Sequence, residues 1–245
     1  MTKRSGLGMN CYVGGYDLSG DVGGINNLRG GPSPLTVTGI DKEAFERIGG
    51  LRDGAVEYMS YFNKATGQAH LTLSALPRTD QITTVCVGTT LGYPAAAIVA
   101  KQINYDGTRA QDGSLTLTVQ ALGNGNALEW GRQLTAGKRT DTSATNGSSI
   151  DTAASADFGA QAYLQVFAVT GTSVTCTIED SANDSAFTAV AGLAFTAATG
   201  VTTQRLATSN TATIRRYLRV ATTGTFSNAV FNLMIVKNEI AGVAF

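Results

Sequence analysis

The stretch Ile98-Val99-Ala100-Lys101-Gln102-Ile103-Asn104-Tyr105 is followed, after a polar turn, by Ser114-Leu115-Thr116-Leu117-Thr118-Val119-Gln120-Ala121-Leu122. Its second arm alternates. Leu115, Leu117, Val119 and Ala121 fall on one face, and Ser114, Thr116, Thr118 and Gln120 on the other. Successive side chains of a strand point to opposite faces, so the pattern calls for one wall in a core and one in water. The first arm puts Val99, Ile103 and Tyr105 on the apolar side and Gln102 and Asn104 opposite, with Lys101 as the exception. Asp106-Gly107 and Asp112-Gly113 bracket a loop too long for a two-residue hairpin turn. A long hairpin with an uncharged polar face reads as a wall around something.

The 245 residues suffice for one large all-β domain or two smaller ones. Eighteen basic residues balance eighteen acidic ones. Neither part is polarised when the chain is divided at Thr140: 13 against 11 before it and 5 against 7 after it. A phosphate-gripping nucleic-acid binder would carry a basic stripe, so that class is excluded. Only 15% of the residues are charged, against about 25% in an ordinary soluble domain. Such a surface, built from Thr, Ser, Asn, Gln and Gly, suits a protein that meets copies of itself. Cys11, Cys86 and Cys176 are odd in number and widely spaced, which predicts reduced, buried thiols. The start Met1-Thr2-Lys3-Arg4 leads into no apolar run, and no segment reaches the ~18 apolar residues of a membrane helix. No membrane association is expected, and a cytoplasm is the simplest site of synthesis.

Residues 1–34 are Gly-rich and predict an extended arm ordered against a neighbour, or a loop-rich β start. The run Ile40-Asp41-Lys42-Glu43-Ala44-Phe45-Glu46-Arg47-Ile48 before Gly49-Gly50 predicts a short helix capped by Asp41. Strands are expected at Ala55–Phe62, Thr83–Gly88 and Tyr93–Ala100, with a strand or helix start at Ala69–Leu76. The only Trp, Trp130, is expected to pack or anchor a turn. Residues 141–149 read as a linker between a first unit, 1–140, and a C-terminal β-sandwich, 150–245. The strands of that sandwich are Ala162–Thr170, Ser173–Glu179, Thr188–Leu193, Gln204–Leu206, Arg215–Ala221 and Ala229–Val236. The fold class is therefore all-β with one short helix: a barrel-forming β domain plus a β-sandwich.

Catalytic groups are hard to find. His70 is the only histidine and has no Gly-x-Ser-x-Gly elbow beside it, so it reads as a structural residue. Glu179-Asp180-Ser181-Ala182-Asn183-Asp184 lacks the Gly and Glu positions of an EF-hand and reads as a polar turn. Gly131–Thr140 has five residues between its glycines and Arg139 where a phosphate loop needs a hydroxyl. No enzyme, cofactor or metal is expected.

Several motifs together resemble the major tail tube proteins of long-tailed, siphovirus-type phages of actinobacteria. They are Leu18-Ser19-Gly20-Asp21, Thr38-Gly39-Ile40-Asp41, Arg47-Ile48-Gly49-Gly50-Leu51-Arg52-Asp53-Gly54, Gln102-Ile103-Asn104-Tyr105 and Glu129-Trp130-Gly131-x-Gln133-Leu134-Thr135-Ala136-Gly137. Arg216-Tyr217-Leu218-Arg219-Val220 and Gly224-Thr225-Phe226 continue the series. The resemblance implies a virion protein, assembled in the host cytoplasm, whose hexameric rings stack into a hollow tube. It implies an inner barrel closed by hairpins, a C-terminal sandwich on the exterior, and double-stranded DNA passing through without specific binding. The implied partners are other copies and tail proteins such as the tape measure, tail terminator and distal tail proteins. On this reading Gln102, Asn104, Thr116, Thr118 and Gln120 line the lumen. Tyr12, Tyr16, Asp21, Asp106, Arg109 and Asp112 belong to arms and loops between subunits. The family's lumens are often acidic, so Asp106, Asp112 or other strands must supply charge here, or the facing differs.

Two other readings compete. A tail-tip or capsid decoration protein could use the sandwich without a tube. A carbohydrate-binding adhesin would need Tyr163, Phe187, Tyr217 or Phe226 exposed on one face.

Overall fold

The computed structural model describes residues 5–240. The strands begin with β1 (Asn10–Val13), β2 (Tyr16–Asp17), β3 (Val22–Thr36) and β4 (Arg47–Tyr61). A short helix, α1 (Ala69–Leu73), precedes β5 (Gln81–Cys86), β6 (Pro94–Gln102), β7 (Asp106–Arg109), β8 (Leu115–Gly123) and β9 (Glu129–Gln133). Then come β10 (Arg139–Asp141), β11 (Ile150–Asp151), β12 (Ala160–Ser181), β13 (Thr188–Ala194), β14 (Thr202–Ala207) and β15 (Tyr217–Lys237). Among the described residues the protein is all-β apart from this one helix, as the alternation and turn residues predict. All its strands belong to one antiparallel hydrogen-bonded network, whose spine runs β13-β12-β15-β9-β6-β5-β1-β2.

Tyr93–Ala100 is a strand, forming most of β6. It is buried on both sides: Ala96, Ile98 and Ala100 pack into one core, while Ala95, Ala97 and Val99 pack into another. That explains its alanine-rich, non-alternating sequence. β8 keeps the expected alternation, with Leu117, Val119 and Ala121 buried. It pairs with β7 from Asp106↔Thr118 to Arg109↔Leu115 and with β6 at Ala100↔Gly123 to Gln102↔Ala121. Between those ladders the Asn104 carboxamide oxygen accepts from Gln120 N at 2.7 Å, bridging the irregular segment.

Two of the expected turns are bends inside longer strands. Ala162–Thr170 and Ser173–Glu179 join into β12, and Arg215–Ala221 and Ala229–Val236 into β15. These two strands pair along almost their whole length, with register shifts around Gly171. Gly171 and Gly224 have φ of +131° and +121°. A Cβ on Gly224 would lie 2.3 Å from Ser173 O, so glycine lets the ladder bend without ending.

The expected helix over Ile40–Ile48 does not form. Instead β3 and β4 continue as a ladder through Leu35↔Ile48 and Thr36↔Arg47, and the chain turns at the tip. Ile40, Phe45 and Ile48 are exposed. A short helix needs its apolar stripe packed, and no core reaches this one. The helix lies instead at Ala69–Leu73, where Asp21 Oδ2 accepts from Ala69 N at 2.9 Å.

The core has three parts. One packs β12, β13 and β15 with their neighbours, and a second packs β1, β4, β5, β6 and β8 around Tyr58 and Ile98. The third joins them at a seam of Tyr12, Ile82, Cys86, Ala95, Ala97, Tyr163 and Met234. Residues 141–149 are stitched to β15: Thr145 N donates to Thr222 O and Gly147 N to Val220 O. The Arg139 guanidinium grips Asp141 at 2.7 Å beneath them.

Candidate assembly surfaces: a polar sheet face and an apolar hairpin

β3, β4, β8 and β7 lie side by side as a four-stranded sheet. Its inner face carries Val56, Tyr58, Leu117 and Val119 into the core. On its outer face Glu57 stands opposite Gln120, Met59 opposite Thr118, and Tyr61 opposite Thr116. β7 adds Asp106 and Thr108 to that face, opposite Thr118 and Thr116. Gln120 Nε2 donates to Glu57 Oε1 at 2.8 Å. Thr116, Thr118 and Gln120 are thus brought together as the alternation predicts, and Asn104 sits at their margin, donating to Asp106 Oδ2 at 2.8 Å.

Gln102 does not join them. It pairs with buried Ala121, so it shares the core face, and its amide donates to Leu73 O at 2.8 Å at the end of α1. Val99 and Tyr105 pack against cores as expected, so the facing departs at Gln102 and Ile103, where β6, buried on both sides, ends. Ile103, expected inside, is exposed, and the ammonium of Lys101 reaches Asp80 at 2.7 Å. Of the expected sources of acidity, Asp106 lies on this face, and another strand, β4, adds Glu57. Among the described residues of this four-stranded segment, the cation on the outer face is Arg29, opposite Ala55 and paired with Asp53 at 3.2 Å.

Both outer strands offer an open edge. Among the described residues β7 pairs only with β8, and β3 only with β4. β7 is exposed throughout. Open edges with unpaired N–H and C=O groups recruit further strands unless something covers them.

The residues expected between subunits divide. Tyr12 is buried, its ring edge-on to Phe167 at 5.0 Å, and burial pushes its hydroxyl well above the ordinary tyrosine range. Asp21 is also buried, accepting from Asn63 Nδ2 at 2.8 Å as well as from α1. Both are used inside the subunit. Tyr16 is partly exposed beside Gly67. Asp106, Arg109 and Asp112 stay exposed on the β7–β8 hairpin. There the backbone N–H and hydroxyl of Ser114 hold the Asp112 carboxyl below its ordinary value.

Sequence reasoning missed a second surface, the outer half of the β3–β4 hairpin. Leu35, Val37, Ile40, Phe45, Ile48 and Leu51 are all exposed on it. The apolar residues are visible in the sequence, but helical spacing suggested that they were covered. The hairpin is rooted where Gly54 meets residues 127–128: a Cβ there would lie 2.4 Å from Leu128 N. Beside that root opens a cleft of about 760 Å³, and Trp130 on β9 lines it, half exposed where packing was expected.

The other singled-out groups have structural duties. His70 lies in α1, with Nδ1 3.2 Å from Tyr105 Oη and its ring against Phe62. Asp180 pairs with Arg215 and Glu179 with Arg219, while Asn183 Oδ1 organises the turn by accepting from Ser185 N at 3.2 Å. Tyr163 is buried against Glu129, Phe187 and Tyr217 lie under Arg219 and Arg216, and Phe226 packs on the core. These four aromatics form no exposed platform.

The fold and these surfaces define an all-β protein with two open strand edges and a projecting apolar hairpin. No family model and no curated protein matches the chain. Eleven solved chains match it. One is the Dit protein of phage SPP1, described as a paradigm of the hub adsorption apparatus in phages infecting Gram-positive hosts. It is 10% identical over 93% of this chain and 99% of its own, with a TM-score of 0.35. Another is a chain of the phage p2 baseplate in its activated conformation with Sr, 8% identical over 95% of this chain and 99% of its own, at 0.34. TM-scores this low do not establish a shared fold.

Proposed function

We propose that the chain is a structural, non-enzymatic subunit of a phage tail that assembles into rings, stacked as a tube through which DNA leaves the virion. One observation carries this reading: the β3-β4-β8-β7 sheet is apolar inside, polar outside and open at both edges. Joining the β7 edge of one copy to the β3 edge of the next would satisfy both edges and close a barrel. The polar face would then line the lumen, where threonines and amides carry no charge, the cation of that face, Arg29, is paired with Asp53, and Glu57 and Asp106 repel phosphates. Six copies per ring, and neighbours such as tape measure, terminator and distal tail proteins, follow from the resemblance in the sequence.

Negative-stain microscopy of the purified protein tests the proposal. Rings or tubes with a central hole are expected, and a population of discrete monomers would overturn it. Stacked rings favour a tube subunit, whereas single rings favour a tail-tip component. Thr118→Lys with Gln120→Lys should leave assembly intact and slow DNA passage, measured as genome release from tails that look normal.

A further inference from the structure

The exposed hairpin and the Trp130 cleft are complementary in three respects. Their sizes are compatible: the tip is a narrow two-stranded projection carrying Ile40 and Phe45, and the cleft is an open trough of about 760 Å³. Pockets of about 300–1,000 Å³ bury most of a drug-sized ligand, a size comparable to one or a few large side chains. Their apolar groups match, because Leu28, Trp130 and Val236 line the trough. Their charges oppose. The tip carries Asp41, Glu43 and Glu46 against Lys42 and Arg47, with Lys42 held 3.4 Å from Asp41 and Arg47 over the Phe45 ring. The trough carries Arg132 and Lys237 against Glu239, and its other acid, Glu129, is held by Arg205.

The tip cannot fill its own trough. Gly30, Gly31 and Arg52 at the root of the hairpin form one wall. The ladder then runs outward from Gly31↔Asp53 to Thr36↔Arg47, which carries the tip about 20–30 Å away. A trough that received the tip would have to belong to another molecule.

We propose that the β3–β4 tip of one copy seats in the Trp130 trough of a second copy, Phe45 and Ile40 packing against Trp130 while Glu43 and Glu46 face Arg132. Two different surfaces meet, so the contact is heterologous and propagates into a ring or a stack. The inference rests on the self-assembly proposed above and adds which surfaces carry it. Exposed aromatics that become fully desolvated dominate such interfaces, so Phe45→Asp or Trp130→Ala should each weaken association about thirtyfold or more. Circular dichroism should be unchanged, because Phe45 is largely exposed and Trp130 half exposed.

Cross-linking decides the pairing. Phe45→Cys and Trp130→Cys are made separately in the full chain, whose own three cysteines are buried, and treated with a short bismaleimide. A mixture of the two should give covalent dimers, and either variant alone only monomers. Arg132→Cys, exposed on the same face of β9, replaces Trp130→Cys if that variant does not fold. Rings in the microscope without mixed dimers, or equal cross-linking in each variant alone, would overturn the pairing and leave ring formation standing. Monomers throughout would overturn both.

Discussion

Gln120 on β8 and Glu57 on β4 meet side by side on the outer face of the sheet, the amide donating to the carboxylate at 2.8 Å. The two residues are 63 positions apart in the chain, yet they stand directly opposite in the ladder. Their bond fixes a carboxylate in the middle of a polar wall whose reverse side is core. Sidedness of this kind makes the two faces of β8 respond differently to the same type of change.

Leu117 and Thr118 test that sidedness. Leu117 is 5% exposed on the core face, and Thr118 is exposed on the polar one. Leu117→Asp should lose about 3–5 kcal/mol, from lost packing and the desolvation of a carboxyl. That is a large part of the stability of an ordinary domain, about 5–15 kcal/mol. Assembly should fail with it. Thr118→Asn should shift stability by less than about 0.5 kcal/mol and leave assembly intact. Urea unfolding of both variants, followed by microscopy, measures the difference.

How much of this was legible depended on whether a segment's environment is local. The β8 alternation and the turn at Asp112-Gly113 are local and legible, whereas Asp106-Gly107, expected at the edge of a loop, lies in β7. The facing of β6 is not local: its odd residues are covered by Tyr12, Tyr163 and Met234, which arrive from strands far along the chain. The same gap misplaced the helix. Ile40, Ala44, Phe45 and Ile48 satisfy helical spacing, but nothing in the sequence shows that no core would meet them. Glu57 was visible as a strand residue, while its place on the outer face required the β4–β8 register.

Asp151 gives an acid-pH prediction. The Arg216 guanidinium and the backbone N–H of Ala153 lower its carboxyl from the ordinary 3.8 to about 2. The unfolded chain therefore takes up this proton first as the pH falls. The contribution to stability is complete above the ordinary value and is lost progressively from about pH 4 to pH 2. The pair is half exposed, so salt should weaken it. Asp151→Asn should flatten this limb of the stability curve, as measured by chemical unfolding across that pH range.

The three thiols make a second readout of folding. Cys11, Cys86 and Cys176 are all buried, and burial raises each to about 12. Thiolate is the reactive form, so the folded protein should resist a thiol reagent at pH 8. All three should react once denaturant opens the structure, which a colorimetric thiol count would show. Rapid labelling of one thiol in the native protein would mean that its part of the core opens independently.

The seam between the two larger cores supplies the most sensitive position. Gln165 on β12 is fully buried, and its carboxamide oxygen accepts from Gly15 N at 2.8 Å. Its amide nitrogen donates to Ile82 O at 2.8 Å and Thr84 Oγ1 at 3.1 Å. One side chain from the second part of the chain thus satisfies groups on β5 and in the β1–β2 turn. Ile82 O keeps its bond from Gly14 N, but Gln165→Ala would leave Gly15 N and the Thr84 hydroxyl buried without this partner, which costs about 1–3 kcal/mol per group. The Tm should fall in a single transition, because Tyr12, Tyr163 and Met234 pack the same seam. Two separated transitions would show instead that the halves fold independently. A chain ending at residue 149 would then be the better test of the tube, since it would keep the whole β3-β4-β8-β7 sheet. With one transition, the same truncation removes β12 and β15, exposes the seam and should yield insoluble protein.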